Sequence, residues 1–155
     1  MSHLIVRHFL AVALLTLPDL AWAQARLPVG DLVIVTGQST RHAFRVELAT
    51  NDTDRARGLM NRRKLDANAG MLFDYREEVP ISMWMRNTLI PLDMLFIAGD
   101  GRIVNIKERA IPHDETPIFS GAPVRAVLEL NGGTVGRLGI KPGDRVEHPL
   151  FAATR

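Results

Sequence analysis

The sequence predicts a β-dominated α+β fold, a compact barrel-like or two-layer sheet arrangement with one or two short helices. Two observations carry this reading. Short runs of apolar residues, several alternating strictly with polar ones, recur along the chain with turn-forming Gly, Pro and Asp between them. Helical spacing, by contrast, appears in only two brief stretches.

The elements follow in order. Leu-Val-Ile-Val within Asp31 to Thr36 reads as a buried strand, and Gly37-Gln38-Ser39 as a turn. Phe44, Val46 and Leu48 then alternate with Arg45 and Glu47, which predicts a second strand and a hairpin. Thr53 is the expected helix N-cap, with Asp54 in the first turn and Ala56, Leu59, Met60 and Arg63 at helical spacing. Gly58, costly inside a helix by about 1 kcal/mol, implies close packing there.

Gly70 to Phe73 is expected as a third strand and Ile81 to Asn87 as a fourth. Leu92 to Ala98 and Arg102 to Arg109 pair across Gly99-Asp100-Gly101. Ile111 to Pro123 carries three prolines and reads as a loop or edge segment. Val124 to Leu130 is a strand, a short helix follows Gly132-Gly133, and Lys141 to Asp144 turns into a closing strand through His148.

The N-terminus has its own pattern. His3, Arg7 and His8 precede an apolar run from Phe9 to Leu17, followed by Ala21-Trp22-Ala23. Charge, apolar run and small-x-small site are the marks of a secretory signal, with cleavage expected after Ala23. The run is too short to span a bilayer, which takes ~20 residues, and a buried N-terminal helix is the structural alternative. The expected product is one domain, residues 24–155, periplasmic or secreted, with no membrane span.

The chain has no cysteine, which excludes thiol catalysis, iron–sulfur clusters and cysteine zinc sites. A chain of ~150 residues buries about 68–70% of its unfolded surface, enough for a core without disulfide staples. Net charge is +2, and removing residues 1–23 takes away one arginine and one aspartate. The densest basic stretch, Arg55, Arg57, Arg62, Arg63 and Lys64, lacks interleaved aromatics. It is expected as a solvated, salt-bridged face, so no nucleic-acid partner is expected.

Three ordered motifs stand out: Arg57-Gly58-Leu59-Met60-x-Arg62, Gly70-Met71-Leu72-Phe73, and Trp84-Met85-Arg86-Asn87-Thr88-x-x-Pro91-Leu92-Asp93-x-x-Phe96. Leu128-Glu129-Leu130, Gly133 and Leu138-Gly139-Ile140-Lys141-x-Gly143-Asp144-x-Val146 complete the series. Together they resemble the bacterial and archaeal domain-of-unknown-function family 192 over roughly Leu32 to Val146. The resemblance implies a compact, β-rich, commonly exported domain, and no activity.

Among residues able to carry chemistry, Ser39, Ser82 and Ser120 lack a nucleophile elbow, and His42, His113 and His148 lack metal-ligand spacing. The candidate ligand-binding group is Arg57, Arg62, Asn87, Thr88, Asp93 and Glu129. Asp93 begins an apolar run, so its carboxylate needs a partner, and Arg57 is the expected one. Two readings stay open: a polar pocket for a small polar or anionic ligand, or a buried network that only fixes packing. Asp93 or Glu129 as the general base of a small hydrolase is one alternative. Another is a soft-metal role, with Met83 and Met85, two apart on a strand, as thioether ligands for copper, against a core-filling role for the same residues. No other cofactor is expected, and a periplasmic protein partner stands beside the small ligand.

Overall fold

The computed structural model describes residues 26–152, so the expected signal segment lies outside the described residues. Seven strands form one sheet: β1 (Val29–Val35), β2 (Arg41–Ala49), β3 (Ala69–Met83), β4 (Leu92–Ile97), β5 (Ile103–Ala110), β6 (Ile118–Asn131) and β7 (Arg145–Glu147). Two short helices, α1 (Asp52–Arg57) and α2 (Thr134–Leu138), and a 3-10 turn at Pro149–Phe151 complete the chain. The expected strand-dominated architecture is the observed one.

The strand order is β5-β4-β6-β3-β2-β1-β7, antiparallel except for the parallel pair of β2 and β3. That one parallel step is where α1 enters, because a parallel neighbour needs a crossover rather than a hairpin. The sheet curls into a half-barrel. Its two outer strands meet at one end, where Val146 N–H donates to Gly101 O at 2.7 Å and Ile103 N–H to Asp144 O at 2.9 Å.

Side-chain alternation divides the core in two. Leu32, Ile34, Phe44, Val46, Leu95 and Leu128 pack on one face with Val135 of α2 and Ile140. Phe73, Met71, Met94, Phe96, Val127 and Leu59 pack on the other. All of β4 is buried because both faces of the sheet are covered there.

Several local expectations change. The N-cap of α1 is Asn51, whose side chain accepts the Asp54 N–H at 2.9 Å; Thr53 lies inside the helix. The helix stops at Gly58, with φ 48° and ψ −136°, and a Cβ there would sit 3.2 Å from the Phe73 ring. Gly58 therefore ends the helix over an aromatic side chain instead of packing mid-helix against backbone. The two segments expected as a third and a fourth strand are one bent strand, β3, whose register slips between Asp74 and Val79. Residues 118–123 belong to interior strand β6, where Pro123 sits opposite Pro80, so the proline-rich loop is only 111–117. Proline survives there because the pairing is irregular, with a second slip between Pro80 and Ser82.

Candidate functional site

Strand β6 runs Val127-Leu128-Glu129-Leu130 through the middle of the sheet. Leu128 and Leu130 pack in the cluster with Leu32 and Val46, so alternation sends Glu129 to the other face with Val127. In register it lies between Met71 of β3 and Met94 of β4, both fully buried. The residue is thus 4 % exposed, flanked in register by apolar side chains. Burial alone pushes it up from 4.5 to about 8. Among the described residues it makes no ion pair and no hydrogen bond.

That carboxyl opens onto a hollow of about 230 Å³ beneath the end of α1. Leu59 and Phe73 form its apolar wall, Met60 and Met83 its thioether sides, and Tyr75, Thr88 and Trp84 also line it. The Tyr75 phenol donates to Met83 Sδ at 3.4 Å. Burial first, and the nearby Glu129 charge second, push its titration up to about 12, with Arg55 opposing. Trp84, at the end of β3, is 48 % exposed. Arginines border the hollow: Arg55 lies 5.3 Å over the Tyr75 ring, and Arg86 5.7 Å over Trp84.

A second hollow, about 310 Å³, lies beside the first and shares Arg57 and Gly58 with it. Arg26, Arg62 and Glu47 also line it. Arg62 and Glu47 form a two-pronged ion pair, one arm at 2.7 Å, which raises the arginine above its usual range.

The expected site residues divide accordingly. Arg57, Thr88 and Glu129 meet in the first hollow, and Arg57 and Arg62 in the second. Asn87 sits exposed at a turn with φ 53°, its amide 4.0 Å from Met60 Sδ, beside the hollow instead of on a strand. The Thr88 hydroxyl donates to Arg86 O at 3.2 Å.

Asp93 is elsewhere, and the expected Arg57–Asp93 pair does not exist. Arg57 pairs with Asp54 at 2.6 Å, on its own helix. Asp93 is fully buried on β4, on the face opposite Glu129 by alternation. It accepts three backbone N–H groups: Arg109 at 2.8 Å, Gly133 at 2.9 Å and Val135 at 2.8 Å. The carboxylate needed partners, as its apolar setting implied, and backbone amides supplied them where a guanidinium was expected.

Met85 is fully buried in the core, past the end of β3, while Met83 is half-buried at the hollow. Among the described residues no cluster of three or more His, Asp or Glu is placed to hold a metal. No described helix is long and apolar enough to cross a membrane.

Sequence reasoning missed Tyr75 and Trp84 as site residues. Trp84 carried a signal, since alternation placed it on the face opposite Met83 and Met85. Tyr75 carried none, because its position depends on the bend in β3.

The chain has relatives of known sequence and structure. The DUF192 family model, described as an uncharacterized ACR, matches residues 33–148. Comparison with curated proteins gives no match. A crystal structure from Sinorhizobium meliloti, provisionally described as a transcription regulator, is 49% identical with a TM-score of 0.79, over 80% of this chain and 96% of that one. Another, a protein of unknown function from Novosphingobium aromaticivorans, is 48% identical with a TM-score of 0.76, over 79% and 86%.

Proposed function

From the premise that the chain belongs to the DUF192 family, which is defined without an activity, we propose that it is an exported binding domain for a small polar ligand, read by Glu129. The observation that carries this is Glu129, a buried residue whose carboxyl has no protein partner among the described residues and faces a hollow. Leaving such a group unpaired costs free energy, which a structural network would have relieved, as it is relieved at Asp93. A ligand hydroxyl, amide or carbonyl entering the hollow completes the missing hydrogen bond, and Thr88 and Arg57 flank the same space.

Export rests on residues 1–23, with their charged start, apolar run and Ala21-Trp22-Ala23. N-terminal sequencing of protein recovered from the periplasm should begin at Gln24; an uncleaved start in the cytoplasm removes that half of the reading. Arg55, Arg57 and Arg62 are each paired with an acid, Asp52, Asp54 and Glu47, so the densest basic stretch is not the continuous open stripe that a nucleic-acid backbone needs.

The test is thermal unfolding against sugars, peptidoglycan fragments, nucleotides and organic anions. A ligand at ~100 times its dissociation constant adds about 2.7 kcal/mol and raises the midpoint by several degrees. The rise should disappear in Glu129→Gln. A rise that survives that substitution removes Glu129 as the reading group.

One observation favours a second reading, general acid or base catalysis. A carboxyl at about 8 exchanges its proton near neutral pH, where such catalysis is most effective. Glu129 is then the acting group, since both oxygens of Asp93 are engaged by backbone amides. Turnover of a bound ligand that vanishes in Glu129→Gln while binding persists marks this case.

A further inference from the structure

We propose that the two hollows are one bipartite site for a hydroxylated organic anion, a sugar acid or sugar phosphate, with its hydroxyls on Glu129 and its anionic group held by Arg26, Arg57 and Arg62. This rests on the reading of the Glu129 hollow as a ligand pocket, and extends it by naming the ligand class.

Four features support it. The hollows share a wall, Arg57-Gly58, and the glycine puts no side chain at the divide. The first hollow is small for an organic ligand, but with its neighbour it enters the ~300–1,000 Å³ range of such sites. Both hollows are rich in arginine, Arg26, Arg57 and Arg62 against Glu47 in the second and Arg55, Arg57 and Arg86 against Glu129 in the first, a balance that suits an anion. The first holds a carboxyl that burial keeps protonated at neutral pH, so it does not repel an anion.

Donor capacity remains despite the ion pairs. A guanidinium has five N–H donors. Arg57 gives one nitrogen to Asp54, and Arg62 gives two to Glu47. The half-exposed indole of Trp84 offers an apolar face that matches the C–H face of a sugar ring. The arginines over Tyr75 and Trp84 disfavour a cationic ligand by like-charge repulsion.

The experiment is calorimetric titration of the purified protein with D-glucuronate, glucose phosphate and D-glucose. One or both anions should bind roughly tenfold or more tightly than glucose, the effect of a charge-assisted hydrogen bond. Which anion wins separates carboxylate from phosphate. Arg26→Ala, an exposed position, and Arg62→Gln should each weaken the anion toward the glucose value and leave glucose unchanged. Glu129→Gln should weaken all three.

Equal affinity for anion and glucose, indifferent to both arginine variants, overturns the bipartite site; if Glu129→Gln still abolishes binding, the pocket reading stands. Anion binding that depends on the arginines but not on Glu129 overturns both. No binding of any probe overturns the assignment of this ligand class, while a shift from another compound class lost in Glu129→Gln would keep the pocket.

Discussion

The carboxylate of Asp93 accepts the backbone N–H of Val135 at 2.8 Å, joining the start of β4 to the first turn of α2, 42 residues further along. Gly133, the N-cap of α2, has φ 90° and no side chain to cap with, so the helix takes its cap from a distant strand. The same carboxylate holds Arg109 N–H of β5 at 2.8 Å. One buried anion thus ties β4, β5 and α2 together, and the motif Pro91-Leu92-Asp93 has a structural explanation that involves no ligand.

Asp93→Ala should accordingly destabilise the fold by about 3–5 kcal/mol, because three backbone N–H groups lose a charged acceptor in a buried place. Arg57→Ala should cost less than about 1 kcal/mol, as expected for a half-exposed pair within one helix. Urea unfolding of the two single variants and the double variant checks this. The effects should add, because the residues do not touch; a coupling above about 1 kcal/mol would restore the Arg57–Asp93 pair.

Glu129 makes stability depend on pH with a definite sign. Its carboxyl has an ordinary value of 4.5 and a folded value of about 8. Below the lower value both states are protonated and the group has no effect. Between the two, the unfolded chain releases a proton that the folded chain keeps, so stability falls as pH rises, and the fall ends above the folded value. The accumulated loss is on the order of a few kcal/mol. Glu129→Gln should remove this slope and be more stable than the parent at about pH 8 by urea unfolding. An unchanged slope would mean that the carboxyl is solvated.

Much of this fold could be read from residue order, and the failures share a cause. The β1–β2 and β4–β5 hairpins are local, so alternation and the Gly99-Asp100-Gly101 turn sufficed to find them. The single long β3 was hidden because its bend, with Arg76 at φ 68°, looks like a break when only local pattern is available. Pro112, Pro117 and Pro123 together signalled a loop, and tertiary pairing with β3 overrode that signal from Ile118 through Pro123. At the site, the acid in Leu128-Glu129-Leu130 was visible as an anomaly in an apolar strand. Asp93 was an equal anomaly. Only the three-dimensional placement of backbone N–H groups distinguishes the one that is satisfied from the one that is not.

Gly58 should tolerate no side chain. Its φ of 48° with ψ of −136° is a conformation L residues rarely adopt, and a Cβ would meet the Phe73 ring at 3.2 Å. Gly58→Ala should cost about 1–3 kcal/mol from backbone strain, with any shift of the ring added. Thermal unfolding reads this directly. A neutral or stabilising effect, as for glycine at an ordinary helical position, would show that α1 continues past Gly58.

Tyr75 gives the most direct spectroscopic view of the hollow, because it is the chain's one tyrosine and its ionisation is unambiguous in absorbance. Burial first, and the charge of Glu129 second, push the phenol from 10.0 up to about 12. In an alkaline titration the folded protein should therefore form tyrosinate well above the ordinary midpoint. Glu129→Gln removes the second cause and leaves the first, so its midpoint should drop part of the way toward 10.0. Circular dichroism recorded alongside keeps the comparison to folded protein, since unfolding exposes the ring. A midpoint near 10.0 in folded parent protein would place the ring in water and open the hollow. Identical elevated midpoints in parent and variant would instead separate the phenol from the carboxyl, and the hollow would lose the coupling of its two acidic groups.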